Sequence, residues 1–266
     1  MNRPFFLDRL PVSVGRRIAY RLLRPVPDRF LPLYRAAALR HAPGVRMEVP
    51  KTREAMYDSI ALLGVYEPEL TRLVLALARH GGRMIDIGAN VGYFTLLWAA
   101  ANPDNEVVAL EPSPLVAPYL ERNVRANGFA GRVEIRQCAA SSTGGTARFS
   151  TLCDEATGWG RLAGHQDEAA VLDVPTERLD SIVGADERIS FVKIDVEGAE
   201  ASVLEGASAL LTSKRIENVY VEINRPGARA LKHPETHALE LLRAAGYRLR
   251  QLSRPAKQIE DWWATA

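Results

Sequence analysis

The segment Met84-Ile85-Asp86-Ile87-Gly88-Ala89-Asn90-Val91-Gly92-Tyr93-Phe94-Thr95 constrains the fold more than any other part of the chain. It reads as a buried strand that runs into a glycine turn and then into the first turn of a helix. Gly88 and Gly92 carry no Cβ, so the backbone can turn sharply there and pass close to a ligand. The N–H groups opening the helix have no acceptor within it and favour an anionic group. Asp86 at this strand end and Glu111 at the end of the next expected strand add two carboxylates. These features describe a site for a nucleoside cofactor.

The sequence around the turn supplies a sheet to hold it. Expected strands fall at 84–88, 106–111, 133–138, 191–195, 218–223 and 247–252, with helices between them at about 92–101, 114–127, 199–211 and 234–245. Runs such as Val107-Val108-Ala109-Leu110 suit strands covered on both faces, hence a mainly parallel sheet. A further helix is expected at 67–80, where Leu70, Leu73, Val74, Leu77 and Ala78 form one apolar stripe behind Pro68 and ahead of Gly81. Residues 141–180 interrupt the alternation with an expected hairpin at 146–151 and a polar loop around Gly158-Trp159-Gly160.

A net charge of +2 over 266 residues gives no global case for nucleic-acid binding. The charge is uneven, however: residues 1–46 hold ten arginines against Asp8 and Asp28. Residues 1–57 read as a basic helical extension and 58–266 as the main domain. Within the extension, Val14, Ile18, Ala19, Leu22 and Leu23 follow helical spacing beside four arginines. Such a helix suits peripheral contact with an anionic membrane or a phosphorylated substrate, but a packed helix with a solvated arginine face is the preferred reading. Cys138 and Cys153 form neither a disulfide framework nor a metal-spaced set, which fits a reducing, cytoplasmic location. No apolar run approaches the roughly 20 residues of a membrane span.

The glycine spacing narrows the cofactor. A dinucleotide site carries G-x-G-x-x-G, and a phosphate-cradling loop ends in G-K-[S/T]; neither is present. A turn with two glycines, an asparagine between them and two flanking acids suits S-adenosylmethionine. The chain resembles the FkbM family of S-adenosylmethionine-dependent, class I methyltransferases from about Asp58 to Gly246. The resemblance rests on Gly64-Val65-Tyr66-Glu67-Pro68-Glu69, on the glycine turn itself, and on Leu110-Glu111-Pro112-Ser113. It continues in Leu179-Asp180, Lys193-Ile194-Asp195-Val196-Glu197-Gly198-Ala199-Glu200 and Val203-Leu204-Glu205-Gly206-Ala207. It implies a Rossmann-like α/β fold with a mainly parallel seven-stranded sheet and helices on both faces.

The cofactor site is expected to comprise Asp86, Gly88, Asn90 and Gly92 around the amino-acid end, with the N–H groups of Tyr93, Phe94 and Thr95 near its carboxylate. Glu111, followed by Pro112 and Ser113, is placed at the ribose, whose two hydroxyls match the two oxygens of a carboxylate. Cys138 and Ala139 are placed near the adenine. Asp195, Glu197 and Glu222 are the catalytic candidates, with Asp195 as general base or as the acceptor that orients the substrate. Asp195, Glu222 and Asn224 also make an oxygen set suited to Mg²⁺, a reading less favoured than contact with a sugar hydroxyl. Glu200 and Glu205 read as helix-start and solvated charges, and His233 and His237 as surface or helix-terminal residues with a secondary claim to be the base.

The resemblance implies O-methylation of a saccharide, glycolipid or secondary-metabolite hydroxyl by in-line methyl transfer. Trp159, Arg161, His165 and the tail Trp262-Trp263 are expected to shape the acceptor pocket. The competing readings are an NAD-dependent oxidoreductase on a similar sheet and a cofactor-binding protein without turnover.

Overall fold

The computed structural model describes residues 31–51, 54–150, 161–162, 171–252 and 258–266. The described chain opens with helix α1 (Leu31–Arg35), strands β1 (Ala37–Leu39) and β2 (Ala42–Met47), and helices α2 (Ala55–Leu63) and α3 (Pro68–Ala78). Then β3 (Gly82–Ile87), α4 (Tyr93–Ala101), β4 (Asn105–Leu110), α5 (Ala117–Ala126) and β5 (Val133–Arg136) alternate. An insertion follows with β6 (Ala139–Ala140), β7 (Gly145–Ser150), β8 (Arg161–Leu162) and β9 (Val171–Glu177). The alternation resumes through α6 (Leu179–Ile182), β10 (Phe191–Ile194), α7 (Glu200–Glu205), α8 (Ser208–Thr212) and β11 (Asn218–Asn224). It closes with α9 (Arg225–Ala230), α10 (His237–Ala244), β12 (Arg248–Gln251) and β13 (Ile259–Thr265).

The central sheet has seven strands in the order β12-β13-β11-β10-β3-β4-β5. Neighbours pair parallel except at β13, which runs antiparallel to both β11 and β12. From β3 the chain moves outward through β4 to β5, then returns to the other side of β3 at β10. The carboxyl ends of β3 and β10 therefore flank the point where the winding direction reverses, the place where open parallel sheets bind ligands.

Alternation along the strands sorts side chains onto two cores. Ile85, Ile87, Val108, Leu110, Val192, Ile194, Val219 and Val221 face the core shared with α7, α8 and α10. Met84, Val107, Ala109, Phe191 and Tyr220 face the other core, shared with α2, α3 and α4. By the same alternation Asp86, Lys193 and Glu222 lie on this second face, and a buried charge there needs a partner.

Several expectations change. Six strands lie where the sequence places them, but the seventh, β13, comes from the stretch read as a tail. Its burial shows no clean alternation, with Ala264 alone fully buried, so the period-2 signal is missing. Residues 37–47 form an antiparallel hairpin rather than helix, because Ala37, Leu39, Val45 and Met47 pack into the core beneath α2. The expected local hairpin at 146–151 is instead one strand, β7, paired with β9 and β8 in a four-stranded sheet. The basic helix at 14–24, Cys153, Trp159 and His165 lie outside the described residues.

Candidate active site

The turn after β3 is held by close backbone approaches. Gly88 has φ +72°, and a Cβ there would stand 2.0 Å from the Asp195 carbonyl oxygen. The ends of β3 and β10 can meet this tightly only because residue 88 is glycine. Gly88 and Ala89 both donate their N–H groups to the Leu110 carbonyl at 3.0 Å. Asn90 follows in the left-handed region (φ 51°), with its side-chain oxygen accepting from Val91 N at 2.8 Å and from the Tyr57 hydroxyl at 3.0 Å. Its own N–H donates to Glu111 Oε2 at 2.8 Å, and Ser113 N–H donates to Glu111 Oε1 at 2.9 Å.

Glu111 is thus fixed at both oxygens while roughly four acceptor positions exist on a carboxylate, so each oxygen keeps one for a ligand hydroxyl. Burial pushes its pKa up to about 7, against the pull of the two N–H donors and of Lys193. Beside it opens a cavity of about 460 Å³, within the ordinary range for small-molecule sites.

Of the cofactor residues read from the sequence, Gly88, Asn90, Tyr93, Phe94, Glu111, Pro112, Cys138 and Ala139 line this cavity. Asp86, Gly92, Thr95 and Ser113 stand behind its wall. Thr95 Oγ1 donates to Asp86 Oδ2 at 2.7 Å, and both residues are buried beneath the turn. Gly92 faces Leu120, and Ser113 reaches the site only through its bond to Glu111. These four hold the wall in place rather than form it. Cys138 is buried, and burial followed by the nearby Glu177 carboxylate raises its thiol to about 12, so it acts as an apolar wall and not as a nucleophile.

The cavity also has an acidic part: Glu67, Asp195, Glu197 and Glu222 line it, with Lys193 the single cation of the lining among the described residues. Lys193 Nζ lies 3.3 Å from Asp195 Oδ2 and 3.5 Å from Asp86 Oδ1, and donates to the Gly88 carbonyl at 3.0 Å. The one ammonium ties the glycine turn to the end of β10. Burial, then Asp195, Glu67 and Glu197, push Glu222 up to about 10, so it carries a proton at neutral pH. Oxygens of Asp195, Glu197 and Glu222 all fall within 4.8 Å of one another. Asn224 does not join them: its Oδ1 accepts from Gly227 N at 2.9 Å and its Nδ2 donates to Glu197 Oε2.

The span 86–249 matches the model of the methyltransferase FkbM domain. The chain belongs to the FkbM methyltransferase family. Among curated relatives, the methyltransferase sdnD of Sordaria araneosa is 30% identical over 176 residues, covering 54% of this chain and 66% of that protein. The 31-O-demethyl-FK506 methyltransferase FkbM of Streptomyces tacrolimicus is 37% identical over 76 residues, covering 29% of this chain and 28% of that protein. The chain thus spans less than two thirds of either relative's length. Among solved structures, a human methyltransferase 10 domain containing protein superposes with a TM-score of 0.49 at 14% identity, covering 93% of this chain and 97% of that one.

The matched FkbM span takes in Glu111, Asp195 and Glu222 but leaves Glu67 and Tyr66 outside it. Sequence reasoning gave neither of these a role, nor Lys193. For Lys193 a signal existed, since a lysine inside an apolar strand two residues before an aspartate must find a buried partner. For Glu67 none did. Glu200 opens α7 and His237 opens α10, as their helix-start and helix-terminal readings have it; what changes is the exposure of Glu200 and the histidines' secondary claim to be the base. Glu200 is not a solvated charge: it is buried, accepts from Gly198 N at 2.7 Å, and burial pushes it up to about 8. His237 is spent on Glu205, with Nε2 3.1 Å from Oε1, and neither it nor His233 lines the cavity. Trp262 and Trp263 pair within the sheet, and Ile259 is the residue of β13 that reaches the cavity wall.

Proposed function

We propose that the protein is an S-adenosylmethionine-dependent O-methyltransferase acting on a hydroxyl of a saccharide, glycolipid or secondary metabolite. The observation that carries this reading is that one cavity joins the Glu111–Asn90 turn to the acidic part at Asp195 and Glu222. The residues fit the cofactor: Glu111 keeps an acceptor position on each oxygen for a ribose diol, and Cys138, Ala139 and Phe149 offer an apolar wall for a flat base. By helix geometry the N–H groups of residues 93–95 have no partner within α4 and suit a carboxylate. When bound, the cofactor supplies a methyl group already activated on sulfur, so the protein's task is alignment.

Asp195, with Oδ2 committed to Lys193, keeps its other oxygen to accept from a hydroxyl of the substrate and so orient it. Protonated Glu222 has a hydrogen to donate to a second oxygen of the same molecule. Such a mixed donor and acceptor surface suits a polyhydroxylated acceptor. The Streptomyces tacrolimicus relative is a 31-O-demethyl-FK506 methyltransferase, which supports an oxygen acceptor here.

Thermal-shift titration with S-adenosylmethionine, S-adenosylhomocysteine and NAD tests the cofactor. A rise with the first two and none with NAD is expected; a rise with NAD alone would sink the reading. Transfer of radiolabelled methyl from the cofactor into a fractionated cell extract then identifies the acceptor. Label on nitrogen or carbon would overturn O-methylation.

A further inference from the structure

Glu67 occupies a position whose usual task it does not perform. It is the N-cap of α3, yet its side chain makes no capping bond, and its backbone is held at φ 37°, ψ 78°. The left-handed region is costly for a side chain of this size, and such strain persists where surrounding structure enforces it. Pro68 opens the helix next to it and Thr71 N bonds back to the Glu67 carbonyl, so the helix start is fixed. The carboxyl is thereby turned away from the helix and into the cavity wall opposite β10 and β11. There Oε2 is buried with no hydrogen-bond partner among the described residues. A strained backbone, an unused cap and an orphaned buried oxygen converge on one carboxylate that lines the cavity beside Asp195.

We propose that Glu67 is a catalytic residue, the base that takes the proton from the acceptor hydroxyl during methyl transfer. The proposal rests on the methyl-transfer reading above. The acceptor oxygen forms its bond to the methyl carbon, the carbon–sulfur bond breaks with its electron pair left on sulfur, and the acceptor's proton passes to Glu67. Asp195, with one oxygen committed to Lys193, then orients the acceptor by accepting from a neighbouring hydroxyl of the same molecule.

The charges around Glu67 suit the task. Burial first, then Asp195 and Asp261, raise its pKa to about 7, against a hydrogen bond from Tyr66 and the Lys193 ammonium. Glu222 and Tyr220 from β11 and Tyr93 from α4 also face it among the described residues. A base poised near neutral pH balances availability against basicity. Turnover should therefore rise as pH passes upward through about 7.

The test uses the wild-type chain, Glu67→Gln and Glu67→Asp, with radiolabelled S-adenosylmethionine, the labelled fraction of cell extract as acceptor, and calorimetric titration with S-adenosylhomocysteine. Aspartate tolerates the left-handed region, so Glu67→Asp keeps a carboxylate without added backbone strain. Glu67→Gln should lower turnover at saturating cofactor on the order of 10²- to 10⁴-fold and remove the rise near neutral pH. Glu67→Asp should keep that rise at a reduced rate, and S-adenosylhomocysteine affinity should change little in either variant. Wild-type rate and pH profile in Glu67→Gln would overturn the proposal alone. So would a loss of S-adenosylhomocysteine affinity with unchanged turnover at saturation, which would make Glu67 a cofactor anchor. No binding of S-adenosylhomocysteine by the wild type would overturn the methyl-transfer reading and this proposal with it.

Discussion

Lys193 and Asp86 are register partners on adjacent parallel strands, and their side chains meet on one face with Nζ 3.5 Å from Oδ1. Both are almost wholly buried, at 2% and 1% exposure. Asp195 completes the group at 3.3 Å. Lys193→Met leaves two carboxylates without their cation, so it should destabilise the protein by roughly 3 to 5 kcal/mol in urea unfolding. Burial alone would lower the Lys193 pKa; Asp195, Asp86 and Glu67 outweigh it and raise it. A raised lysine contributes its full stability below the unfolded pKa of about 10.4 and loses it as pH rises through the folded value. The gap between wild type and Lys193→Met should accordingly be flat from neutral to mildly alkaline pH and close only beyond that window. An unchanged urea midpoint would mean that the triad contributes nothing.

With Glu111 proposed as the ribose acceptor, cofactor affinity should depend on pH. Its pKa, raised by burial to about 7, means that below neutrality the free protein holds a proton where ribose hydroxyls need an acceptor. Affinity for S-adenosylhomocysteine should rise with pH up to about 7, by roughly tenfold per unit on the acid side. For the free protein the sign is opposite. A carboxyl raised in the folded state stabilises it at acid pH and loses that contribution as pH climbs from the unfolded value to the folded one. Glu111→Gln should bind more weakly at pH 8 and show no acid limb. A limb that survives in the variant would move the ribose contact to another group.

The parts legible in sequence are those where a local pattern maps onto a local structure. The strand at Gly82–Ile87, its glycine turn and the acid ending the next strand all follow from short apolar runs and residues without a Cβ. The strand at Ile259–Thr265 escaped because its partners are two other strands and most of its side chains are only half-buried. The small sheet around Gly145–Ser150 escaped because its main pairing is with Val171–Glu177, beyond an interruption longer than either strand. Glu67 was hidden for a different reason. Its motif was visible, but its direction is set by a backbone angle, and the acids it faces arrive from strands far along the chain.

Gly88→Ala should damage fold and site together. The added Cβ meets the Asp195 carbonyl oxygen at 2.0 Å, and that atom is backbone, held by the β3–β10 pairing. Gly128 offers the control, since it has nearly the same φ (+73° against +72°) and nothing within 4 Å of its Cβ position. Gly128→Ala pays only for the left-handed conformation, on the order of 1 kcal/mol. The excess loss in Gly88→Ala, read from thermal unfolding of both variants, measures the clash, and its S-adenosylhomocysteine affinity should fall as well. Equal losses in the two variants would show that the turn accommodates the methyl group.

Methyl transfer should persist in the presence of millimolar EDTA. Three carboxylates within 4.8 Å of one another are a donor set that Mg²⁺ can use, but each is already engaged by something else. Asp195 Oδ2 is on the Lys193 ammonium, whose positive charge beside these acids opposes a second cation. Glu197 accepts from Asn224, whose own oxygen caps α9 through Gly227 N, so recruiting either would unpick the helix start. Glu222 holds a proton at neutral pH that a cation would have to displace. A metal would have to displace the Glu222 proton and the Asn224 bond to Glu197, whereas a substrate hydroxyl adds to the network without breaking it. The rate with EDTA should equal that with added Mg²⁺. Loss of turnover in EDTA that Mg²⁺ restores would reverse the assignment and make these acids ligands first.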